Sequence, residues 1–230
     1  YIRASLLTLL AHDCRGMLWW CGFEQSELSR TPYDWNGVER ELGLFYLDRT
    51  EKPVLKAMTA FSEFVEALPF RRMPKRMTDA VCVLTRGQDA WAAAYGAFIL
   101  ARQAHVDLTF AWADGPIPEA PAYLLPSVIG DTPMNRSVYL KLIDRVKQGA
   151  KLYLSLDGAL LSPFSAFSGL RVLTRAHAPQ TAEVSFQGET IRMQRDYRLR
   201  CESIGAEVLA SASNGDVAFA RNRCGEGEVY

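Results

Sequence analysis

Ala80-Val-Cys-Val-Leu84 places five apolar residues in a row between polar neighbours, and a strand with one wet face cannot be written that way. A half-exposed strand alternates; an unbroken run needs cover on both faces, as in a parallel sheet sandwiched by helices. The next 70 or so residues keep the matching rhythm. Gln88 to Ala104 has helical spacing, with Trp91, Ala94 or Tyr95, Phe98 and Ala101 on one side. Asp107 to Trp112 and Ala122 to Leu125 read as strands. Ser137 to Gln148 is helical with Val138, Leu142 and Val146 aligned, and Lys151 to Leu156 is a fourth strand. The order βαββαβ predicts a mostly parallel sheet with right-handed crossovers.

The tail has a different period. Ala182, Val184 and Phe186 alternate before Gln187-Gly188, and Ile191 and Met193 alternate after it. Asn214-Gly215 between Val208-Leu209 and Val217 to Phe219 is a strong hairpin signal. Antiparallel strands that extend or enter the sheet are expected there.

Upstream, Tyr1 to His12 carries a helical stripe (Ile2, Leu6, Leu9, Leu10) with no capping residue before it. Gly16-Met-Leu-Trp-Trp-Cys21 has strand length, and a polar loop follows from Glu24 to Asn36. Pro53 sits where a first-turn proline belongs and opens a helix with Val54, Met58, Phe61 and Phe64 or Val65 aligned. Leu68-Pro69 ends it. Arg71-Arg-Met-Pro-Lys-Arg76 then reads as a solvated connector rather than a phosphate patch, because no aromatic platform interleaves its charges. A chain that opens inside a helix and stops inside a strand, at Gly225-Glu-Gly-Glu-Val-Tyr230, reads as a segment of a larger protein.

Composition narrows the function classes. The 26 basic and 26 acidic residues balance, which gives no pull toward nucleic acid or an anionic membrane surface. No apolar run approaches the ~20 residues of a bilayer span. The five cysteines (Cys14, Cys21, Cys82, Cys201, Cys224) are odd in number and scattered, so they read as structural thiols in a reducing, cytoplasmic compartment. His12, His105 and His177 stand far apart, which gives no metal site and no cofactor.

The densest candidate for chemistry is Trp19-Trp20-Cys21-Gly22-Phe23-Glu24, where an apolar run passes into the polar loop. Ligands bind at the carboxyl ends of strands in open α/β sheets and (β/α)8 barrels. Adjacent tryptophans on a strand face opposite sides. Two readings of the pair stand side by side: a flat indole platform for a sugar ring, or core packing by large apolar side chains. Of the nearby carboxylates (Glu24, Glu27, Asp34, Glu39, Glu41), Glu24 is placed at the rim, hydrogen bonding sugar hydroxyls. Glu39 and Glu41 read as helical or turn-like and solvated.

Gly16 to Cys21, Glu41-Leu-Gly-Leu-Phe45 and Glu51-Lys-Pro-Val54 together resemble the closing stretch of clan A glycoside hydrolases. In that family an eighth barrel strand ends in tryptophan, and a loop leads into the eighth helix. The resemblance implies Trp20 as the sugar-stacking indole, with Trp19 the alternative, and a carbohydrate substrate. It also implies catalytic glutamates upstream of this chain, hence no catalytic residue within it. Residues 79–230 resemble a domain of certain β-galactosidases, on Tyr95 to Ala101, Ala122 to Pro126, Gly149 to Ser155 and Gly225 to Tyr230. That domain has a Rossmann- or flavodoxin-like, class I glutamine-amidotransferase-like fold and often mediates trimerisation.

The expected organisation is therefore a C-terminal barrel fragment (1–68), a linker (69–78) and an amidotransferase-like α/β domain with an antiparallel extension (79–230). The turn Ser155-Leu-Asp-Gly158 stands where an amidotransferase has its cysteine. With no thiol there, the domain is expected to be inert and to serve assembly as a homo-oligomer. Two other readings remain. One is a non-catalytic binding or oligomerisation protein. The other is a hydrolase using Ser155 or Cys82, which would need a histidine within reach.

Overall fold

The computed structural model describes residues 1–25, 27–35, 41–159 and 161–230. The chain divides into two compact units, Tyr1–Arg76 and Met77–Tyr230.

In the first unit, α1 (Ile2–Ala11) packs against α2 (Pro53–Glu66). Leu6 is the buried residue of α1. Pro53 occupies the first turn of α2, where its missing N–H leaves no intrahelical bond unmade. The run from Gly16 to Cys21 departs from expectation: it forms no strand ladder among the described residues. Strand conformation is held by a hydrogen-bonded neighbour, and the first such pairing here comes two residues later, at Phe23 with Phe45.

The second unit follows the expected rhythm closely. In chain order it contains β1 (Ala80–Leu84), α3 (Ala90–Gln103), β2 (Leu108–Trp112), β3 (Ala122–Val128), α4 (Arg136–Lys147) and β4 (Lys151–Leu156). A one-turn α5 (Ser165–Ser168) precedes the long strands β5 (Leu170–Phe186) and β6 (Glu189–Ser203). The chain finishes with β7 (Glu207–Ser211), β8 (Val217–Cys224) and β9 (Gly227–Val229). The main sheet has seven strands in the order β2-β1-β3-β4-β9-β8-β7. Its first five members run parallel, and β8 and β7 extend one edge antiparallel.

The unbroken apolar run divides by parity. Val81 and Val83 join a core with Tyr139, Leu142, Ile143 and Val146 of α4. Ala80, Cys82 and Leu84 join another with Leu108 and Ala101 of α3. All five β1 residues are buried, and each fully buried valine or leucine stabilises the fold by about 1.5–3 kcal/mol.

Helix α3 corrects the expected stripe. Its packed face is made of Ala90, Ala93, Ala94, Ala97 and Ala101, whereas Trp91 is 79% exposed and Tyr95 also points outward. Alanines let the helix sit close to the sheet, and the bulky aromatics are turned away from that contact.

Strands β5 and β6 form a separate hairpin whose two-residue turn, Gln187-Gly188, takes positive φ at both positions (51° and 85°). That conformation matches the twist of the flanking strands. The hairpin is tied to the main sheet by a bridge from Val184 to Ala212 and by a cluster of Val184, Phe186, Ala210, Ala212 and Phe219. Its polar anchor is Asp216, only 5% exposed. Arg198 donates from Nε (2.7 Å) and Nη2 (3.0 Å) to this carboxylate, Arg195 Nη2 donates at 3.4 Å, and Asn214 Nδ2 at 3.0 Å. The Arg198 hydrogen bond holds the Asp216 carboxyl below the ordinary range, with Asn214 and the arginine charges adding to it and burial opposing it.

A carboxyl depressed in this way contributes stability above the ordinary aspartate range, and that contribution is lost as pH falls through the lowered value. Asp216→Asn is expected to cost about 2 kcal/mol at neutral pH, below the value for a fully enclosed pair because Arg198 is partly exposed. In urea denaturation, the gap between wild type and variant should close in acid; equal stability at neutral pH would contradict the anchor.

Candidate functional site

The site is built where two segments of the first unit cross. The amides of Leu44 and Phe45 both donate to the Gly22 carbonyl (2.9 and 3.0 Å), and the Glu24 amide donates back to the Phe45 carbonyl (3.2 Å). The Phe23 and Phe45 rings stack at 5.2 Å between centroids. Gly43 passes so close that a Cβ there would run into the backbone of Phe23 and Glu24. Only glycine permits that crossing.

Lys52 closes the arrangement from the other side. Its amide donates to the Leu44 carbonyl (3.0 Å), and its Nζ pairs with Glu24 Oε1 while donating to the Glu41 carbonyl (2.9 Å). The ammonium also lies 5.2 Å from the centre of the Tyr46 ring. Lys52 is 8% exposed, so this is a shielded ion pair. The Glu24 carboxylate is thereby fixed in direction, with a side chain that still reaches the surface in part.

The two tryptophans are set differently. Trp19 is half-buried and its Nε1 donates to the Leu42 carbonyl at 3.0 Å. Trp20 is 69% exposed. The reading in which both indoles are core therefore does not describe Trp20. The Trp20–Cys21 peptide is cis. Glu27, Asp34 and Glu41 are exposed, and Glu39 lies outside the described residues. The basic segment Arg71 to Arg76 lines, with Leu10, Asp13, Cys14 and Arg15, an open cleft of 890 Å³ within this unit.

In the second unit, Ser155 Oγ accepts the Ser127 amide at 2.7 Å. The Asp157 and Gly158 amides turn back to the Val128 carbonyl. Cys82 is buried, and burial pushes its thiol up to about 12. A thiol that stays protonated at neutral pH is a poor nucleophile. Among the described residues no group of histidine, cysteine and carboxylate side chains could hold a metal ion, and no helix is long and apolar enough to cross a membrane.

Sequence reasoning placed Trp19, Trp20 and Glu24 together and missed Lys52 as the partner that orients Glu24. The signal was present in the Lys52-Pro53 helix start, since a lysine between strand-like and helical segments has a stem long enough to reach back.

No family model matches this sequence, and no curated protein matches it. Solved structures do match. An exo-β-1,4-mannosidase, Op5Man5, from Opitutaceae bacterium strain TAV5 aligns over 99% of this chain and 43% of its own, at TM-score 0.75 and 20% identity. A β-galactosidase from the Antarctic haloarchaeon Halorubrum lacusprofundi aligns over 99% and 36%, at 0.73 and 15%. A β-galactosidase from the psychrophilic Marinomonas ef1 aligns over 99% and 37%, at 0.66 and 12%. The chain thus shares its fold with part of these glycoside hydrolases and spans less than half the length of each.

If the Lys52–Glu24 pair braces the crossing, Lys52→Met should destabilise the first unit by about 3 kcal/mol, because it leaves a shielded carboxylate alone. Adding Glu24→Leu should restore part of that loss in a double-mutant cycle. Additive losses in urea denaturation would show that the two side chains act independently.

Proposed function

We propose that this chain is a segment of a retaining β-glycosidase, of β-galactosidase- or β-mannosidase-like specificity. In this reading residues 1–68 are the end of a (β/α)8 barrel and supply one wall of the sugar site. Residues 79–230, beyond a linker at 69–78, form an inert amidotransferase-like assembly domain. The supporting observation is Trp20: an exposed indole that in sequence follows Trp19 and precedes Glu24, both of which are held by hydrogen bonding or ion pairing. The folds matched, those of a mannosidase and two β-galactosidases, point to the same class of ligand.

The chemistry assigned to each group follows from its setting. The indole of Trp20 stacks against the C–H face of a pyranose ring and loses little side-chain entropy in doing so. Trp19, tied through Nε1 to Leu42, fixes the backbone from which Trp20 projects. Glu24, oriented by Lys52, accepts hydrogen bonds from sugar hydroxyls. Retaining hydrolysis needs two carboxyl groups about 5–5.5 Å apart; these are assigned upstream, so the chain alone is expected to bind sugar and not to cleave it.

Tryptophan fluorescence titration with β-1,4-manno-oligosaccharides and with a β-galactoside tests the reading. Trp20→Ala should weaken binding about tenfold, near the upper end of what one aromatic contact supplies, without lowering thermal stability. Unchanged affinity in that variant would overturn the assignment of Trp20.

A further inference from the structure

Beneath the β5–β6 hairpin the second unit holds a cavity of about 400 Å³. Three neighbouring parallel strands bring their carboxyl ends to it: β3 at Ser127, β4 at Ser155 to Asp157, and β9 at Val229. In open α/β sheets, ligands bind at that end of the strands. The hairpin and β8 add an apolar wall that includes Ala182, Val184, Met193, Leu199 and Phe219.

Two ties fix the hairpin to the sheet. Arg175 of β5 donates to the Gly158 carbonyl, and Tyr197 of β6 packs so closely on Gly158 that a Cβ there would lie 3.1 Å from the ring. Further along, Val184 bridges to Ala212 and packs with Phe186 and Phe219. The space beneath the hairpin is therefore a fixture of the fold.

Two charged side chains of the lining are left over from the fold's own bonding. Arg198 satisfies Asp216 through two donors, at 2.7 and 3.0 Å. Arg195 reaches the same carboxylate through one Nη2 contact at 3.4 Å, longer than a good N–H···O bond, and its buried Nε has no partner. This guanidinium is 18% exposed, so most of its five donors are unused in a place largely withdrawn from water. Asp157 is half-buried, and its carboxylate has no hydrogen bond or ion pair among the described residues. Ser155 Oγ accepts the Ser127 amide at 2.7 Å and so keeps its own hydrogen to donate.

We propose that this cavity binds a small organic acid that also carries a hydrogen-bond donor. Its carboxylate pairs with Arg195, whose planar fork matches that group. A hydroxyl or ammonium group meets Asp157, and a compact apolar body rests against the hairpin wall. Opposite charges in one lining disfavour the alternatives: Asp157 repels a bare inorganic anion, and a hydrocarbon leaves both charges unpaired. The volume is at the small end for ligand pockets, which suits a single ring rather than an oligosaccharide. The inference is of binding alone, concerns only the second unit, and stands apart from the sugar reading of the first.

Isothermal titration calorimetry of the full chain with 3-phenyllactate, phenylalanine, 3-phenylpropanoate and galactose tests it. The hydroxy acid or the amino acid should bind with Kd below about 1 mM. Phenylpropanoate, which lacks the donor, and galactose, which lacks the carboxylate, should each bind at least about tenfold more weakly. Arg195→Met should weaken the preferred acid at least about tenfold. Because Arg195 also touches Asp216, Ala182→Leu is the second variant: it narrows the cavity, alters neither charge and should weaken binding too, with thermal melting confirming that each variant is folded. No binding by either donor-bearing acid, no preference for them over the other two compounds, or unchanged affinity in a folded variant overturns the inference.

Discussion

A lysine ammonium and a glutamate carboxylate, both largely shielded from water, hold the first unit's site together. Lys52 reaches from the start of α2 to Glu24 and to the Glu41 carbonyl, joining three stretches that are distant in sequence. Such a pair gives little net stability compared with apolar packing, but breaking it leaves an uncompensated charge. Its value therefore lies in specifying one arrangement. With Gly43 allowing the backbones to cross and Phe23 stacked on Phe45, residues 22–24 are pinned against residues 43–45.

The second unit rests on a different constraint. Strand β1 is buried on both faces, and each parity of its residues feeds a separate core. Helix α4 contributes large residues (Tyr139, Leu142, Ile143, Val146) on one face, while α3 contributes alanines on the other. The asymmetry has a consequence for the surface: Trp91 and Tyr95 of α3 stack on one another and point away from their own sheet. The antiparallel additions are held by a buried charge, Asp216, serving two arginines from β6.

Much of this was legible in the residues. The run at 80–84 follows directly from apolar continuity, Leu152, Leu154 and Leu156 recur at strand period within β4, and Asn214-Gly215 marks its turn because positive φ is cheap there. What could not be read were relations between distant positions. Sequence spacing says that Trp91 and Tyr95 share a helical face, but not which face meets the sheet; alanine packing decided against the larger residues. It says that Gly16 to Cys21 is apolar and of strand length, yet a ladder depends on a neighbour that local sequence cannot supply. Lys52 and Glu24 are 28 positions apart, beyond any periodic pattern, so Glu24 reads as a free rim carboxylate until its partner is seen.

The functional account joins these parts through one exposed ring. Trp19 is held, Glu24 is held, and Trp20, between them in sequence, is open; a pyranose ring offers C–H groups on its face to such an indole and hydroxyls at its rim to an oriented acceptor. The most direct measurement is the position of a bound sugar: a crystal structure of the chain with a β-1,4-manno-oligosaccharide or a β-galactoside. The account predicts a pyranose ring lying over the Trp20 indole with a hydroxyl directed at Glu24. A sugar bound elsewhere on the chain, with the Trp20 face left bare, would contradict it.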